Sequence, residues 1–260
     1  MPLTIFFHCH KAGGTTVVDA AINSGLKLPD SHANGNPLGA DGQLIDWKTL
    51  SEDQTLETLG GFQAQGVEFL CFEFSTPKWG ILKKLPGLQL ITVLRDPQAR
   101  AFSNFRMFVL NEPEKRQSVK NFDSFMNNRS LFRSNNFYTR FFTRTGIKAE
   151  LDDSHLGGAI RNLNGFDAVC ILERGNMAER LEPFGFRPEA FGWKNANVHK
   201  KKFINFDSDK HGIDITTYPD TASFQRKNAL DYALYSYFLH KDLEGAARTE
   251  TAQTAATPAP

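Results

Sequence analysis

The chain has 260 residues, of which 40% are hydrophobic, and a formal net charge of +1 at pH 7. This length is typical of one domain with a sizeable core, and the balanced charge argues against binding nucleic acid over the whole surface. The sequence shows no signal peptide and no apolar run long enough to span a membrane, which predicts a cytoplasmic protein. Its three cysteines lie far apart in apolar segments, so they predict buried thiols rather than a zinc or redox site.

The first predicted element is a buried strand, residues 5–9, followed by a tight turn and a helix through residues 17–22. Such a turn directs backbone N–H groups and the positive end of a helix at one point, which suits phosphate or sulfate. The ATPase order G-x-x-x-x-G-K-[ST] fails because Lys11 precedes the glycines, and G-x-G-x-x-G fails because the two glycines are adjacent. The predicted anion-binding residues are Lys11, Ala12, Gly13, Gly14, Thr15 and Thr16.

Two later segments are predicted to be strands of the same sheet. Residues 67–75 contain Glu73 near their carboxyl end, where partial burial would raise the pKa of its carboxylate. Residues 88–94 form a continuous apolar run, which is typical of a strand buried on both faces. Arg95 ends that strand and Ser103 lies in the next helix, so the two can share one phosphate. The alternative is a plain strand-to-helix junction with Arg95 in a surface ion pair.

A basic stretch lies between Lys115 and Lys148. It holds eight Lys and Arg residues against one acid, Asp123, and eight minus one gives a local charge of +7. These charges either are scattered on the surface or form an electropositive rim for an anionic acceptor or for the phosphates of a donor. Arg133 and Arg140 are the candidate acceptor-binding residues.

Together these segments resemble the sulfotransferases that use 3′-phosphoadenosine 5′-phosphosulfate (PAPS). The pattern H-x-x-K-x-G-G-T-T at residues 8–16 is similar to the family's 5′-phosphosulfate loop. The pattern R-D-P-x-x-R-x-x-S-x-F at residues 95–105 is similar to its 3′-phosphate motif. Three later segments resemble the carbohydrate branch, which includes the heparan sulfate 2-O-sulfotransferases: residues 136–140 (NFYTR), 166–174 (FDAVCILER) and 228–237 (NALDYALYSY).

The resemblance covers roughly residues 3–240 and implies an α/β, P-loop-like fold of three layers. In this fold a mostly parallel central sheet is flanked by helices, and the donor lies at the carboxyl edge of the strands. We expect one sulfotransferase domain, residues 1–244, and a disordered tail, residues 245–260, because the tail is small, polar and proline-bearing. Animal relatives usually carry an N-terminal Golgi anchor, so the sequence favours a cytoplasmic enzyme of bacterial type unless an anchor has been removed.

The resemblance also implies roles for the candidate residues. Lys11 would neutralise the leaving phosphate, and Arg95 with Ser103 would bind the 3′-phosphate. In the family an Asn-containing basic loop closes over the nucleotide, and here the matching candidates are Lys200 and Lys201. PAPS would be the co-substrate, and no metal is expected.

The general base is less defined, because related enzymes use a His or a Glu near the end of the strand that precedes the 3′-phosphate strand. Glu73 is the leading candidate, and the alternative for this carboxylate is a structural pairing with a Lys or Arg such as Lys11. His10 stands where relatives often carry Pro and is the second candidate. His8 is expected to orient its neighbours by a hydrogen bond.

The sequence thus predicts a PAPS-dependent sulfotransferase that acts on a hydroxyl of an acceptor. A saccharide is the expected acceptor and another small molecule is the alternative, and an anionic acceptor would suit the basic stretch. Two alternatives remain. The first is a small-molecule kinase, which would need magnesium ligands and a Walker-type lysine. The second is a nucleotide- or polyanion-binding module without catalysis.

Overall fold

A computed structural model describes residues 2–127, 130–192 and 206–256. At its centre lies a four-stranded parallel sheet of order β4-β1-β5-β6, flanked by helices, which confirms the predicted α/β class. A separate antiparallel ribbon pairs β2 with β3. The strands are β1 (Leu3–Phe7), β2 (His32–Ala33), β3 (Asn36–Pro37), β4 (Phe69–Phe72), β5 (Leu88–Leu94) and β6 (Ala168–Ile171).

Helices connect the strands and cover the sheet. They are α1 (Gly14–Ser24), α2 (Glu52–Ala64), α3 (Trp79–Leu82), α4 (Pro97–Asn111), α5 (Pro113–Arg116), α6 (Phe122–Met126), α7 (Phe137–Thr143), α8 (Asp153–Leu163), α9 (Met177–Leu181), α10 (Ser208–His211), α11 (Thr221–Lys227) and α12 (Ala229–Ala256). Helix α12 continues through residues 245–256, the start of the segment predicted to be a tail, where several alanines favour helix. No helix in the described ranges combines the length and apolar character needed to cross a bilayer.

Side chains from successive residues of each strand pack on opposite faces of the sheet. In β1, Ile5 and Phe7 join a core cluster with α7 and α8, whereas Phe6 joins a cluster with α1. Both faces are therefore covered, as is typical of parallel sheets, and this accounts for the continuous apolar runs in the sequence.

The ends of the strands position the site. Each strand of the parallel sheet ends at the same edge, and the next residues there include His8 after β1, Glu73 after β4 and Arg95 after β5. Helix α4 begins at Pro97, and the Asp96 side chain caps it by accepting a hydrogen bond from the Ala99 N–H at 2.8 Å. The candidate residues therefore lie at the carboxyl edge, where parallel sheets usually bind ligands.

The segment of residues 30–46 contains the β2–β3 ribbon, which covers the free edge of β4. The Cys71 N–H donates to the Gly35 carbonyl at 2.9 Å, and the Glu73 N–H donates to Asn36 Oδ1 at 2.9 Å. The Asn36 side chain thus satisfies the Glu73 N–H beyond the end of β4, which pairs with β1 over Phe69–Phe72 and is shorter than the predicted residues 67–75.

Candidate functional site

A cavity of ≈ 520 Å³ lies at the carboxyl edge of the sheet. Three other cavities in the described part of the chain measure ≈ 180, ≈ 240 and ≈ 340 Å³. The largest volume suits a small-molecule ligand. The predicted residues that line it are His10, Lys11, Gly13, Gly14, Thr15, Thr16, Glu73, Arg95 and Ser103.

The predicted anion-binding loop forms one wall of this cavity. The Ala12 N–H donates to the Cys9 carbonyl at 2.9 Å, which closes the turn, and Ala12 itself is buried beneath the wall. Lys11 has φ 68°, a left-handed conformation that is unfavourable for a residue with a side chain. Gly13, with φ 85°, caps α1 through its carbonyl, which accepts from the Thr16 N–H at 3.1 Å, so among the described residues the N–H groups of Gly14 and Thr15 remain available to a ligand.

Gly14 permits the close approach of an imidazole ring to the start of α1. A Cβ atom on Gly14 would lie 1.8 Å from His8 Nε2. The buried ring of His8 thus occupies the space that any other side chain would need. His8 is held in turn near Glu73, with Nδ1 at 3.2 Å from Oε2, although the angle is poor for a hydrogen bond.

Glu73 is buried, with 6% of its surface exposed, and its two carboxylate oxygens contact the two histidines. His10 Nδ1 lies 2.6 Å from Oε1. Burial alone would raise the pKa of Glu73, but the contacts with His10 and His8 outweigh it and lower the pKa to about 2. The sequence-based expectation of a raised pKa is therefore wrong, because it took account of burial and not of the imidazole partners.

The other nitrogen of His10 determines where its proton lies. Asn104 donates through Nδ2 to the Phe132 carbonyl at 2.9 Å, which turns its Oδ1 toward His10 Nε2 at 3.1 Å. Because Oδ1 only accepts, Nε2 carries a hydrogen. With Nε2 protonated, neutral His10 turns its Nδ1 lone pair toward the Glu73 carboxylate, so one proton taken up between these two atoms would convert the 2.6 Å contact into a hydrogen bond. Burial lowers the pKa of His10, and the Glu73 carboxylate opposes this shift.

Arg95 faces the loop from the opposite wall. Its Nη1 donates to the Lys11 carbonyl at 3.2 Å, and its Nε lies 3.9 Å from Glu173. The Tyr138 hydroxyl accepts from the Arg95 N–H at 2.9 Å and donates to the Arg95 carbonyl at 2.8 Å. Burial, together with the positive charge of Arg95, lowers the pKa of Lys11, and Glu73 opposes this. The two neighbouring cations favour an anionic ligand between them.

The three late segments of the resemblance support this wall and do not form it. Asp231 accepts hydrogen bonds from the backbone N–H groups of Tyr138 and Thr139, which ties residues 228–237 to residues 136–140. Glu173 accepts from the Asp96 N–H at 3.0 Å and from the Tyr235 hydroxyl at 3.0 Å. The turn after β5 is therefore held by residues close to the other end of the chain.

The two arginines predicted to bind an acceptor lie outside the large cavity. The Arg133 guanidinium stacks over Phe108 at 4.1 Å and over Phe125 at 4.7 Å. Arg140 lines the ≈ 180 Å³ cavity, and its guanidinium group donates to backbone carbonyls, including that of Gly146 at 2.6 Å. Both side chains are engaged within the protein, and their role toward an acceptor stays a prediction.

Sequence analysis did not single out several residues that line the cavity. Asn34, from the ribbon, and Phe74, Met107 and Leu172 belong to this group. Asn104 was also missed, although it follows Ser103 directly. Lys200 and Lys201 lie outside the described residues. Within the described ranges, no group of three or more His, Cys, Asp or Glu side chains is arranged to hold a metal ion.

Comparison with known proteins adds no relative: no family model matches this chain, and no curated protein matches it. The functional argument therefore depends on the motifs and on the geometry of the cavity.

Proposed function

We propose that the protein is a PAPS-dependent sulfotransferase with a P-loop-like fold that transfers a sulfuryl group to a hydroxyl. One observation carries the proposal. Two predicted anion-binding motifs, Lys11 with its loop and Arg95 with Ser103, lie on the walls of one cavity, and a buried carboxylate–histidine pair lines the same cavity. A group that binds the 5′-phosphosulfate, a group that binds the 3′-phosphate and a group that accepts a proton would therefore be within reach of one ligand.

The donor would lie between the two motifs. The N–H groups of Gly14 and Thr15 and the ammonium group of Lys11 would hold the 5′-phosphosulfate at the start of α1. Arg95 and Ser103 would hold the 3′-phosphate. This second contact is remote from the sulfur, and it would orient the donor so that the reacting atoms meet in line.

The reaction then needs one proton transfer and one charge neutralisation. The oxygen of the acceptor hydroxyl forms a bond with sulfur, and the bond between sulfur and the 5′-phosphate oxygen breaks. The hydroxyl proton passes to the Glu73–His10 pair, which has room for one proton at Nδ1 and Oε1. Lys11 opposes the negative charge that develops on the departing phosphate. The pair, and not Glu73 by itself, is thus the proposed general base.

The first experiment compares two nucleotides by thermal stabilisation. Adenosine 3′,5′-bisphosphate should stabilise the protein more than 5′-AMP, and Arg95→Ala should remove this difference. A ligand at 100 times its Kd contributes about 2.7 kcal/mol, which is a shift of a few degrees in Tm. Arg226→Ala is the matched control, because Arg226 is exposed and does not line the cavity.

The second experiment measures transfer of a labelled sulfuryl group from PAPS to simple saccharides and phenols. Glu73→Gln should bind the bisphosphate normally and lose transfer. A preference for ATP with magnesium over the bisphosphate would favour the kinase alternative. Bisphosphate binding with no transfer by the parent protein would favour a nucleotide-binding module.

A further inference from the structure

The cavity of ≈ 240 Å³ lies beside β6, at the edge of the sheet farthest from the β2–β3 ribbon. In the described part of the chain β6 pairs only with β5, and helices α9 and α12 pack beside it. Val169 of β6, Arg180 of α9 and Asp242 of α12 line the cavity. It shares no described lining residue with the large cavity, and the proposed reaction uses none of its side chains.

Asp242 brings a buried carboxylate oxygen without a hydrogen bond to this cavity. The side chain is 1% exposed, and its Oδ2 accepts from Arg174 Nε at 3.3 Å and from Asn176 Nδ2 at 3.4 Å. Its Oδ1 accepts no hydrogen bond from the described residues, and Arg180 Nε lies 3.8 Å from it, beyond hydrogen-bond length. A buried carboxylate oxygen without a donor is unfavourable, so Oδ1 favours a ligand that donates a hydrogen bond.

The cavity carries charges of both signs. Its charged lining residues are two acids, Asp167 and Asp242, and two bases, Arg180 and Lys241, so their charges sum to zero. Lys241 Nζ donates to Asn164 Oδ1 at 2.8 Å and keeps two further N–H donors. A simple cation would be repelled by the two bases, and a simple anion would leave the Asp242 oxygen without a donor. A ligand that carries both an ammonium and a carboxylate group suits this arrangement.

The rest of the cavity wall is apolar. Val169 is the one residue of β6 that is not fully buried, and its side chain lines the cavity. The volume is below the range of about 300–1,000 Å³ that is usual for drug-sized ligands, so it suits a smaller molecule. An aliphatic or aromatic group would be removed from water here by the four apolar lining residues, which are Leu163, Phe166, Val169 and Phe238.

We infer that this cavity binds a free α-amino acid with an apolar side chain. The ammonium group would donate to Asp242 Oδ1, and the carboxylate group would accept from Arg180 and Lys241. Because Arg180 and Asp242 are neighbours, the two charged groups of the ligand must also be neighbours, as they are on a single α-carbon. The apolar side chain would lie against Phe166 and Val169. This inference goes beyond the proposed function, since its ligand takes no part in sulfuryl transfer.

The test is a titration by ligand-observed NMR with three probes of the same carbon skeleton. L-leucine carries both charged groups, isopentylamine lacks the carboxylate, and 4-methylpentanoate lacks the ammonium group. The parent protein should bind leucine at least about tenfold more tightly than either counterpart. Asp242→Asn should weaken leucine binding at least about tenfold and leave 4-methylpentanoate binding within about twofold. Glu179→Gln, the same kind of change at an exposed position of α9, should leave leucine binding within about twofold.

A second variant decides the result if Asp242→Asn does not fold. Val169→Phe fills the cavity without changing a charge, and the free volume accommodates the added carbons, so its Tm should stay close to that of the parent. It should lose leucine binding. A parent protein that does not bind leucine, or that binds one of the counterparts as tightly, would overturn the inference. Leucine binding that survives in the folded Val169→Phe variant would overturn it too, because the ligand would then lie elsewhere.

Discussion

Replacing Glu73 by Gln tests how the buried carboxylate is charged. The histidine contacts lower its pKa from 4.5 to about 2, so ionised Glu73 contributes about 3 kcal/mol to the free energy of unfolding at neutral pH. A group whose pKa is lowered on folding stabilises the protein above its unfolded-state pKa. That stabilisation is lost as the pH falls through the folded-state value. About 2 kcal/mol of it should be lost between pH 7 and pH 3.

The assay is urea unfolding of the parent and Glu73→Gln at pH 7, 5, 4 and 3. The difference in unfolding free energy between the two proteins should shrink by about 2 kcal/mol over this range, because Glu73 of the unfolded parent takes up a proton near its ordinary pKa of 4.5 while the folded carboxylate stays ionised. Glu68→Gln is the matched control, since Glu68 precedes β4 at its other end and accepts a hydrogen bond from the Lys27 N–H.

A difference that does not change with pH would refute the reasoning. It would mean that Glu73 has the same pKa in the folded and unfolded protein, so that the imidazole contacts do not favour its ionised form.

Three further predictions concern the frame of the site. Gly14→Ala should lower the free energy of unfolding by about 1–3 kcal/mol, because its Cβ would lie 1.8 Å from the His8 imidazole. Gly60→Ala in α2 has open space around it and should raise the free energy of unfolding by about 0.5–1 kcal/mol. Both values are measured by chemical unfolding. Tyr138→Phe should lower the free energy of unfolding by about 1–3 kcal/mol, since it removes the hydroxyl that binds the N–H and the carbonyl of Arg95. In the thermal assay it should weaken binding of the bisphosphate more than binding of 5′-AMP. Burial raises the pKa of Cys9 to about 12, and all three cysteines are buried. They should therefore resist alkylation by iodoacetamide at pH 8 in the folded protein. Mass spectrometry should find no adduct on the folded protein and three adducts on the protein in urea.

The parts of the site that follow from local sequence were predictable. Continuous apolar runs predict β1 and β5, and the turn after each is encoded by its own residues: Lys11 and the glycines in one case, the Asp–Pro pair after Arg95 in the other. In a parallel sheet these turns meet at one edge, so the convergence of Lys11, Glu73, Arg95 and Ser103 on one cavity follows from topology.

The protonation chemistry was not predictable, because it depends on contacts between distant segments. His10 contacts Glu73 63 residues away and Asn104 94 residues away. Ser103 and Asn104 differ by one position on α4, which turns their side chains about 100° apart. The sequence motif predicts that Ser103 faces the ligand. The contact of Asn104 with His10 depends on how α4 packs, which the motif does not encode.

The charges of the basic stretch were also beyond sequence analysis. Arg133, Arg140 and Arg144 look alike in the sequence. The first stacks on aromatic rings, the second holds backbone carbonyls, and a buried nitrogen of the third makes no hydrogen bond to the described residues. Charge density predicts where an anion is favoured, but it does not say which arginine is available to bind it.

The support of Arg95 by the last helix has a consequence for biosynthesis. The residues proposed to hold the two phosphates lie between Lys11 and Ser103, yet the turn that carries Arg95 is held through Tyr138 and Glu173 by Asp231 and Tyr235. A ribosome-bound chain would contain the complete binding loops well before it could hold them in place. We expect the protein to bind the nucleotide only after helix α12 has left the ribosome, so that ligand binding would report the emergence of this helix.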